Sequence, residues 1–445
     1  MDDDYFNCFI NSIFMVSPTF STDKCSVSSV NSPEEEQVAA ATAGLNDREL
    51  RLVHLLKAAA ESLTGAQKSW ELARVILVRL KELIDEAAAA SGGGGSATSI
   101  ERLAIYLTNS LQNLLDGAGK SHFLPHHPSD VASAFQLLQD MSPLMSFGYF
   151  TANQAILEAV AGERHVHIVD YDIMEGVQWA SLIQAFVSRN HGAPPPYLVI
   201  TAISRSTENR GHPTLMCASA VQQTGRRLAD FAASVKQPFS FSHCRLDRTG
   251  GFRPAGVKVV KGEAVAFNCF IKRSSSAVGS FLASAGELGA RLVTVIYEEE
   301  GRGEEEKGFV ARFMGEMERQ LALLEALEEG FPKQKRARDI VERLIFGPRI
   351  EEAVARAYFT WKEDEEEEEG RWTEMMAPAG FEALELSSFS HSQARLLISL
   401  YNEGYRIEED GKNKLVLSWK SRRLLSSSAW GAQPRQLVVA EIGTS

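Results

Sequence analysis

The sequence predicts an α/β fold in which a doubly wound, mainly parallel sheet follows an N-terminal layer of helices. Four apolar runs of strand length alternate with helical segments, at residues 165–170, 197–203, 264–270 and 291–297. Before them, residues 47–160 place apolar side chains at the three- and four-residue spacing of amphipathic helices. Near the C-terminus, candidate strands at 405–409 and 414–419 flank the turn sequence Asp410-Gly411-Lys412-Asn413.

The helical layer begins after a polar tail. Residues 1–46 are rich in Ser, Thr, Asp and Glu, which predicts a disordered segment. Asn46 or Asp47 can cap the first helix, and the Gly/Ser run Ser91–Ser96 is typical of a flexible linker. One face of the second helix consists of Trp70, Ala73, Leu77, Leu80 and Ile84. Residues 47–160 are therefore expected to form packed helices that cap an α/β core of residues 161–440.

The apolar runs set the expected architecture of that core. Near-continuous apolar strands separated by helices indicate a parallel sheet covered on both faces. Residues 239–246 form a weaker candidate for a fifth strand, and the pair at 405–419 predicts an antiparallel hairpin at the edge of the sheet. A parallel core closed by an antiparallel edge is the Rossmann-type layout of S-adenosylmethionine-dependent methyltransferases, which is an analogy of fold alone.

Composition narrows the function classes. The 46 Lys and Arg against 58 Asp and Glu give a net charge of −12 over 445 residues, which disfavours a protein that binds DNA by itself. Part of this charge lies in the acidic run of residues 363–369, and short basic clusters occur at 333–338 and 420–423. The five cysteines form no Cys-x-x-Cys pair, so reduced thiols and an intracellular address are expected. No apolar run reaches the ~20 residues that span a bilayer.

The loop after the first strand is the natural place for a nucleotide in such a fold. Binding would require small residues there, so that the backbone can approach the ligand closely. The loop instead reads Tyr171-Asp172-Ile173-Met174-Glu175-Gly176, with a single glycine and bulky side chains. The second strand also ends without the acidic residue that would hold a ribose. These features argue against a bound cofactor, and none is predicted.

Catalytic and metal-binding patterns are also missing from the sequence. It has no Gly-x-Ser-x-Gly elbow, and its ten histidines show no metal-ligand spacing. Asp170, Asp172 and Glu175 could act as paired carboxylates, although a helix cap or loop anchor is the more economical interpretation of Asp170. The chain is therefore predicted not to be an enzyme. The alternative is a methyltransferase that uses S-adenosylmethionine, or a binder of a small ligand.

A resemblance adds to this picture. Residues Val166-His167-Ile168-Val169-Asp170 resemble the VHIID signature of the GRAS family of plant transcriptional regulators, and Gly176, Gln178 and Trp179 extend the match. Residues 225–232 resemble the family's second leucine-rich region, and Phe346-Gly347-Pro348-Arg349 resembles the end of its PFYRE region. The C-terminal SAW region is similar in the spacing of four residues, which are Trp372, Gly380, Trp419 and Trp430.

The resemblance implies a function in the nucleus. A family member of this kind would regulate transcription by pairing with a second GRAS protein, or with its own copy, while promoter DNA is contacted mainly through the partner. The pairing would use the N-terminal leucine-rich helices, which contain Leu52, Leu55, Leu56, Leu77 and Leu80. Finer likeness at 52–61, 71–82, 140–160 and 402–423 implies symbiotic signalling in nodulation or arbuscular mycorrhiza, and control of strigolactone biosynthesis. The signature residues themselves are expected to be mainly structural.

Overall fold

A computed structural model gives the fold. It describes residues 47–64, 69–90, 97–117, 128–189, 194–204, 218–247, 251–272, 276–299, 308–363 and 372–433. The chain divides into two compact units, residues 1–122 and 123–445. The predicted disordered tail (1–46), the Gly/Ser linker (91–96) and most of the acidic run at 363–369 lie outside the described residues.

The described residues of the first unit form three helices, α1 (Asp47–Thr64), α2 (Trp70–Ala90) and α3 (Ser99–Leu115). Their apolar faces meet in a common interior, as the three- and four-residue spacing predicted, except that Trp70 at the start of α2 is 43% exposed. Helix α3 begins with a capping box: the Thr98 hydroxyl accepts a hydrogen bond from the Glu101 amide, and the Glu101 carboxylate accepts one from the Thr98 amide at 2.9 Å. This exchange satisfies two amide donors at the helix start.

The second unit is built around one sheet. Two helices precede the first strand, α4 (Pro128–Met141) and α5 (Leu144–Ala159). The strands are β1 (His165–Asp170), β2 (Tyr197–Ser204), β3 (Phe239–Arg245), β4 (Ala264–Ile271), β5 (Leu292–Glu298), β6 (Phe381–Ala383), β7 (Tyr405–Glu409), β8 (Lys414–Trp419) and β9 (Arg422–Ala432). The other α-helices among the described residues are α6 (Val177–Arg189), α7 (Ala218–Ser234), α8 (Ser276–Glu287), α9 (Phe309–Gly330), α10 (Lys335–Val341), α11 (Gly347–Glu363) and α12 (Ser388–Ile398).

The strands follow the order β3-β2-β1-β4-β5-β9-β8-β7, and β6 pairs with β9. The five strands from β3 to β5 are parallel, whereas β9 runs antiparallel to β5 and begins the antiparallel edge. The predicted doubly wound, mainly parallel sheet with an edge hairpin is thus confirmed. Because the order reverses between β1 and β4, the carboxyl ends of these two strands form the crevice where such folds usually bind ligands.

Two features differ from the sequence expectations. The helical region predicted at 47–160 divides at residue 122, because α5 packs against β5 and β9 of the sheet and so belongs to the second unit. The antiparallel edge is also larger than the predicted hairpin, since β9 joins that hairpin to the parallel strands. Within the described ranges no helix is both long and apolar enough to cross a membrane.

Candidate functional site

Strand β1 ends at Asp170, which is completely buried. One carboxylate oxygen of Asp170 accepts a hydrogen bond from the Trp179 indole N–H at 2.8 Å, and the other accepts one from the Asn268 side-chain amide at 2.9 Å. Burial raises the pKa of Asp170 to about 7, although both hydrogen bonds act in the opposite direction. Asp170 therefore joins β1 to β4 and to the first turn of α6.

The network continues from Asn268 through side-chain amides. The Asn268 carbonyl oxygen accepts hydrogen bonds from the Thr294 hydroxyl at 2.9 Å and from the Gln178 amide at 3.2 Å. Gln178 also bonds to the side chain of Asn153 on α5 at 3.2 Å, and Asn153 donates to the Gln178 backbone oxygen at 2.9 Å. These polar groups satisfy one another within the interior, which fixes β1, β4, β5, α5 and α6 together.

The loop between β1 and α6 fills the crevice beside this network. Tyr171 and Ile173 are buried in it, and Asp172 accepts a hydrogen bond from Lys272 at 3.3 Å. Gly176 has φ +80°, and a Cβ atom there would lie 2.8 Å from Cγ2 of Thr224 on α7. Only glycine fits this position without strain or displacement. The crevice at the switch point is therefore occupied by the chain's own side chains.

The possible carboxylate pair is not assembled for acid–base chemistry. Asp170 points into the closed network, Asp172 bonds to Lys272, and Glu175 forms a partly exposed ion pair with Arg227 at 2.8 Å. Each carboxylate thus has its own partner. In the described part of the chain, no group of three or more His, Cys, Asp or Glu side chains is arranged to hold a metal ion.

His167 of the signature belongs to a second buried network, nearer the start of the strands. Its Nδ1 lies 2.9 Å from the Glu263 carboxylate, and its Nε2 lies 2.8 Å from the Thr201 hydroxyl. The Thr201 hydroxyl lies 2.7 Å from that of Ser242. Since a carboxylate accepts only, a neutral imidazole here carries its proton on Nδ1 and accepts at Nε2. His167 thereby links the turn before β4 to β2 and β3.

The four SAW-region residues separate into two places. Trp372 and Trp430 pack edge to face with ring centroids 6.0 Å apart, and Gly380 with φ +88° lies in the turn that leads into β6. Trp419 is fully buried elsewhere, against Tyr405 at a centroid distance of 4.9 Å. Val166, Ile168 and Val169 are also fully buried, in β1. The geometry gives all these side chains a packing role.

The leucines predicted to contact a partner face mainly inward. Leu52, Leu56, Leu77 and Leu80 are buried inside the first unit, and Leu55 is partly buried. In this structure they hold the three helices together, and their contact with a partner remains a prediction. The exposed apolar surface of α2 lies opposite, at Leu72, Val75 and Val78, whose exposed fractions are 51%, 66% and 56%. We refer to these three residues as the outer face of α2.

The two basic clusters also differ from each other. Lys420, Arg422 and Arg423 form ion pairs with carboxylates of α9, β7 and the β7–β8 turn, so this cluster is largely neutralised. Lys333, Lys335 and Arg336 are exposed at the start of α10, whereas Arg338 is buried and donates to the Glu328 backbone oxygen at 3.2 Å. Sequence reasoning missed the roles of Asn153, Asn268 and Glu263. A polar residue within the apolar strand was the available signal for Asn268.

Comparisons with known proteins agree with the signature. The GRAS domain family matches residues 52–431. The protein NODULATION SIGNALING PATHWAY 2 of Lotus japonicus is 54% identical over 398 residues, which cover 86% of this chain and 76% of that protein. Scarecrow-like protein 26 of Arabidopsis thaliana is 47% identical, over 86% of this chain and 78% of that protein. Among solved structures, SCL7 of Oryza sativa matches with a TM-score of 0.62 and 28% identity, over 85% of this chain and 99% of that one.

Proposed function

The chain belongs to the GRAS family, and we propose that it is a nuclear regulator of transcription in plant symbiotic signalling that acts by pairing with a second GRAS protein. Two relatives named NODULATION SIGNALING PATHWAY 2, from Lotus japonicus and Medicago truncatula, are 54% and 49% identical to it. This identity extends over 86% and 87% of the chain, which supports the same pathway. Control of strigolactone biosynthesis in nodulating or mycorrhizal roots belongs to this proposal.

The observation that carries the pairing is the outer face of α2. Leu72, Val75 and Val78 repeat every third residue, and each is more than half exposed. Apolar side chains of this size gain about 1.5–3 kcal/mol each when they move from water into a packed interface. A row of them along one helix is the pattern that a partner helix or groove recognises. This face therefore extends the predicted leucine-rich interface from the interior of the unit to its surface.

The polar residues beside this row fit the rim of an interface. Arg79 forms ion pairs with Glu82 at 2.8 Å and with Glu86 at 3.7 Å on the exposed side of α2. An apolar centre with paired charges at its margin is the usual composition of a protein–protein contact. The net charge of −12 supports a division of labour, in which the partner supplies most of the contact with DNA phosphates.

The pairing is tested with the whole chain as bait in plant nuclear extract, followed by identification of captured GRAS proteins by mass spectrometry. We expect capture of a GRAS protein by the natural chain, and at least a tenfold loss after Leu72→Ser, Val75→Ser and Val78→Ser are combined. The matched control combines Arg74→Ser, Lys81→Ser and Asp85→Ser, which are exposed polar positions on the same helix. The control should retain the capture.

A second arm removes residues 47–115, which should abolish pairing altogether. Capture that survives this deletion would overturn the assignment of the interface to the leucine-rich helices. Equal losses in the apolar and the polar variant would show that the outer face of α2 has no special part in it.

A further inference from the structure

A charged cleft opens at the same edge of the sheet as the closed network, next to the ends of β4 and β5. The cleft is open to solvent. Lys272 after β4 and Glu298 at the end of β5 form one wall, while Arg319 of α9 and Arg349 and Arg356 of α11 form the other. This position gives a ligand the access that the loop after β1 denies it.

Two antiparallel helices aim the arginines into this cleft. Phe309 at the start of α9 packs edge to face on Tyr358 near the end of α11, with centroids 5.3 Å apart. Further along α9, Arg319 shares Glu298 with Arg349, which lies in the first turn of α11. The two helices thus run in opposite directions, and their facing sides present guanidinium groups from both.

Glu298 is the buried anion at the base of the cleft. Its carboxylate lies 2.9 Å from NH2 of Arg319 and 3.8 Å from NH1 of Arg349. Burial alone would raise the pKa of Glu298, but the charges of Arg319, Arg349 and Lys272 outweigh it and hold the pKa below its ordinary value. Glu298 is therefore charged, and the hydrogen-bonding distance shows that Arg319 is its principal partner.

Arg349 has hydrogen-bond donors that are unused within the described residues. Its side chain is about one quarter exposed, and its only ion-pair contact among the described residues is the 3.8 Å approach to Glu298, which is too long for a hydrogen bond. Arg319, by contrast, is buried beside Glu298 and Glu316, and Arg356 is held by Glu352 one turn earlier on α11. The planar fork of Arg349 can accept two oxygens of an anion side by side.

The described lining of the cleft carries charges of both signs. Its lining carries five cations and four carboxylates, which are Lys272, Arg312, Arg319, Arg349 and Arg356 with Glu298, Glu299, Glu316 and Glu352. Glu299 is neutralised by Lys414 at 2.8 Å, and Lys272 lies 3.3 Å from Asp172. Arg312, Arg319 and Arg356 have further interactions of their own, so Arg349 is the arginine of this lining whose donors are unused within the described residues.

We propose that this cleft binds a small oxyanion, a carboxylate or a phosphate group, on the guanidinium of Arg349. One such group would use the donors of Arg349 that Glu298 leaves free. Arg319 neutralises Glu298 through its other oxygen, Oε2, at 2.9 Å. The site would give the core a ligand-dependent stability that is separate from pairing through the first unit.

The test is the thermal unfolding of the whole chain in sodium phosphate, sodium acetate or sodium chloride at matched ionic strength. When the anion concentration is twenty times the dissociation constant, binding should raise the midpoint temperature of unfolding by about 2–8 °C relative to chloride. A rise in phosphate only identifies a phosphate ligand, and a rise in acetate only identifies a carboxylate. No rise in either anion overturns the proposal.

Variants locate the effect. Arg349→Met should abolish the rise, and Arg349→Lys should keep less than half of it because an ammonium cannot present two parallel donors. Arg227→Met is the control, since Arg227 is an exposed arginine paired with Glu175 outside the cleft, and it should keep the full rise. An undiminished rise in Arg349→Met contradicts the assignment. If that variant fails to fold, Arg356→Met serves in its place and should lose part of the rise.

Discussion

The closed network around Asp170 and the charged cleft around Arg349 lie at one edge of the same sheet, yet they are built in opposite ways. At Asp170 every carboxylate oxygen has a donor, and the loop side chains fill the neighbouring space. At Arg349 the guanidinium makes no hydrogen bond within the described residues, and the neighbouring space is open to solvent. The comparison teaches that position at the carboxyl edge does not by itself make a binding site. What decides is whether polar groups and volume remain unused.

The largest expected effect is on the closed side. Asp170→Ala would leave the Trp179 indole N–H and one Asn268 amide donor buried without an acceptor. Each unsatisfied buried donor costs about 1–3 kcal/mol, so we expect unfolding to become easier by about 3–5 kcal/mol near neutral pH. Unfolding in guanidinium chloride measures the change, with the same dependence of the free energy on denaturant concentration for both proteins. A loss below about 1 kcal/mol would mean that the network does not stabilise the strand end, and the contrast with the cleft would disappear.

The crowding of the loop gives the next effect. Gly176→Ala introduces a methyl group 2.8 Å from Cγ2 of Thr224 at a φ of +80°. Gly162→Ala is the matched control, because Gly162 has φ +79° and no neighbouring atom within 4 Å of the added carbon. We expect a loss of about 1 kcal/mol in the control from the backbone alone, and about 2–4 kcal/mol at Gly176. Equal losses of unfolding free energy for the two variants would show that the loop can accommodate the added methyl group.

The sequence predicted the strands at this edge of the sheet better than the side-chain contacts between them. Strands β1, β2, β4 and β5 were placed almost to the residue because each is a run of apolar side chains. Strand β9 was missed because its centre reads Ser426-Ser427-Ser428, although all three serines are buried. A run of serines is typical of a loop, and only pairing with β5 on one side and β8 on the other explains it.

The side-chain contacts at this edge join residues that are far apart in the sequence. Asp170 and Asn268 are 98 positions apart, so no periodic pattern links them. The pairing of Glu298 with both Arg319 and Arg349 likewise requires the antiparallel packing of α9 and α11. The absence of small residues after β1 was readable in advance, and the structure buries the bulky side chains of Tyr171 and Ile173 there. Nothing in the sequence indicated that open space lies beside the ends of β4 and β5.

A smaller effect follows from protonation of the closed network. Because burial raises the pKa of Asp170 to about 7, the folded state keeps a proton that the unfolded chain releases near pH 4. Stability contributed by this group is therefore greatest in acid and falls as the pH rises to about 7, by roughly 2 kcal/mol between pH 5 and 7. Asp170→Asn has no such proton. Denaturation at several pH values should show a steeper decline for the natural chain, and parallel curves would contradict the buried, protonated carboxyl group.

The smallest change in stability is expected for Arg349 in the charged cleft. This result would separate the cleft most clearly from the closed network around Asp170. Arg349→Met removes a partly exposed guanidinium that makes no hydrogen bond within the described residues, while Arg319 still neutralises Glu298. The free energy of unfolding in chloride should therefore change by less than about 1 kcal/mol. Arg319→Met removes the buried partner of Glu298 and should cost about 3 kcal/mol or more, because it leaves a charge uncompensated in the interior. Denaturation of the two variants under one condition measures both values. Comparable losses would mean that Arg349 is a structural member of the ion pair, with no donors reserved for a ligand.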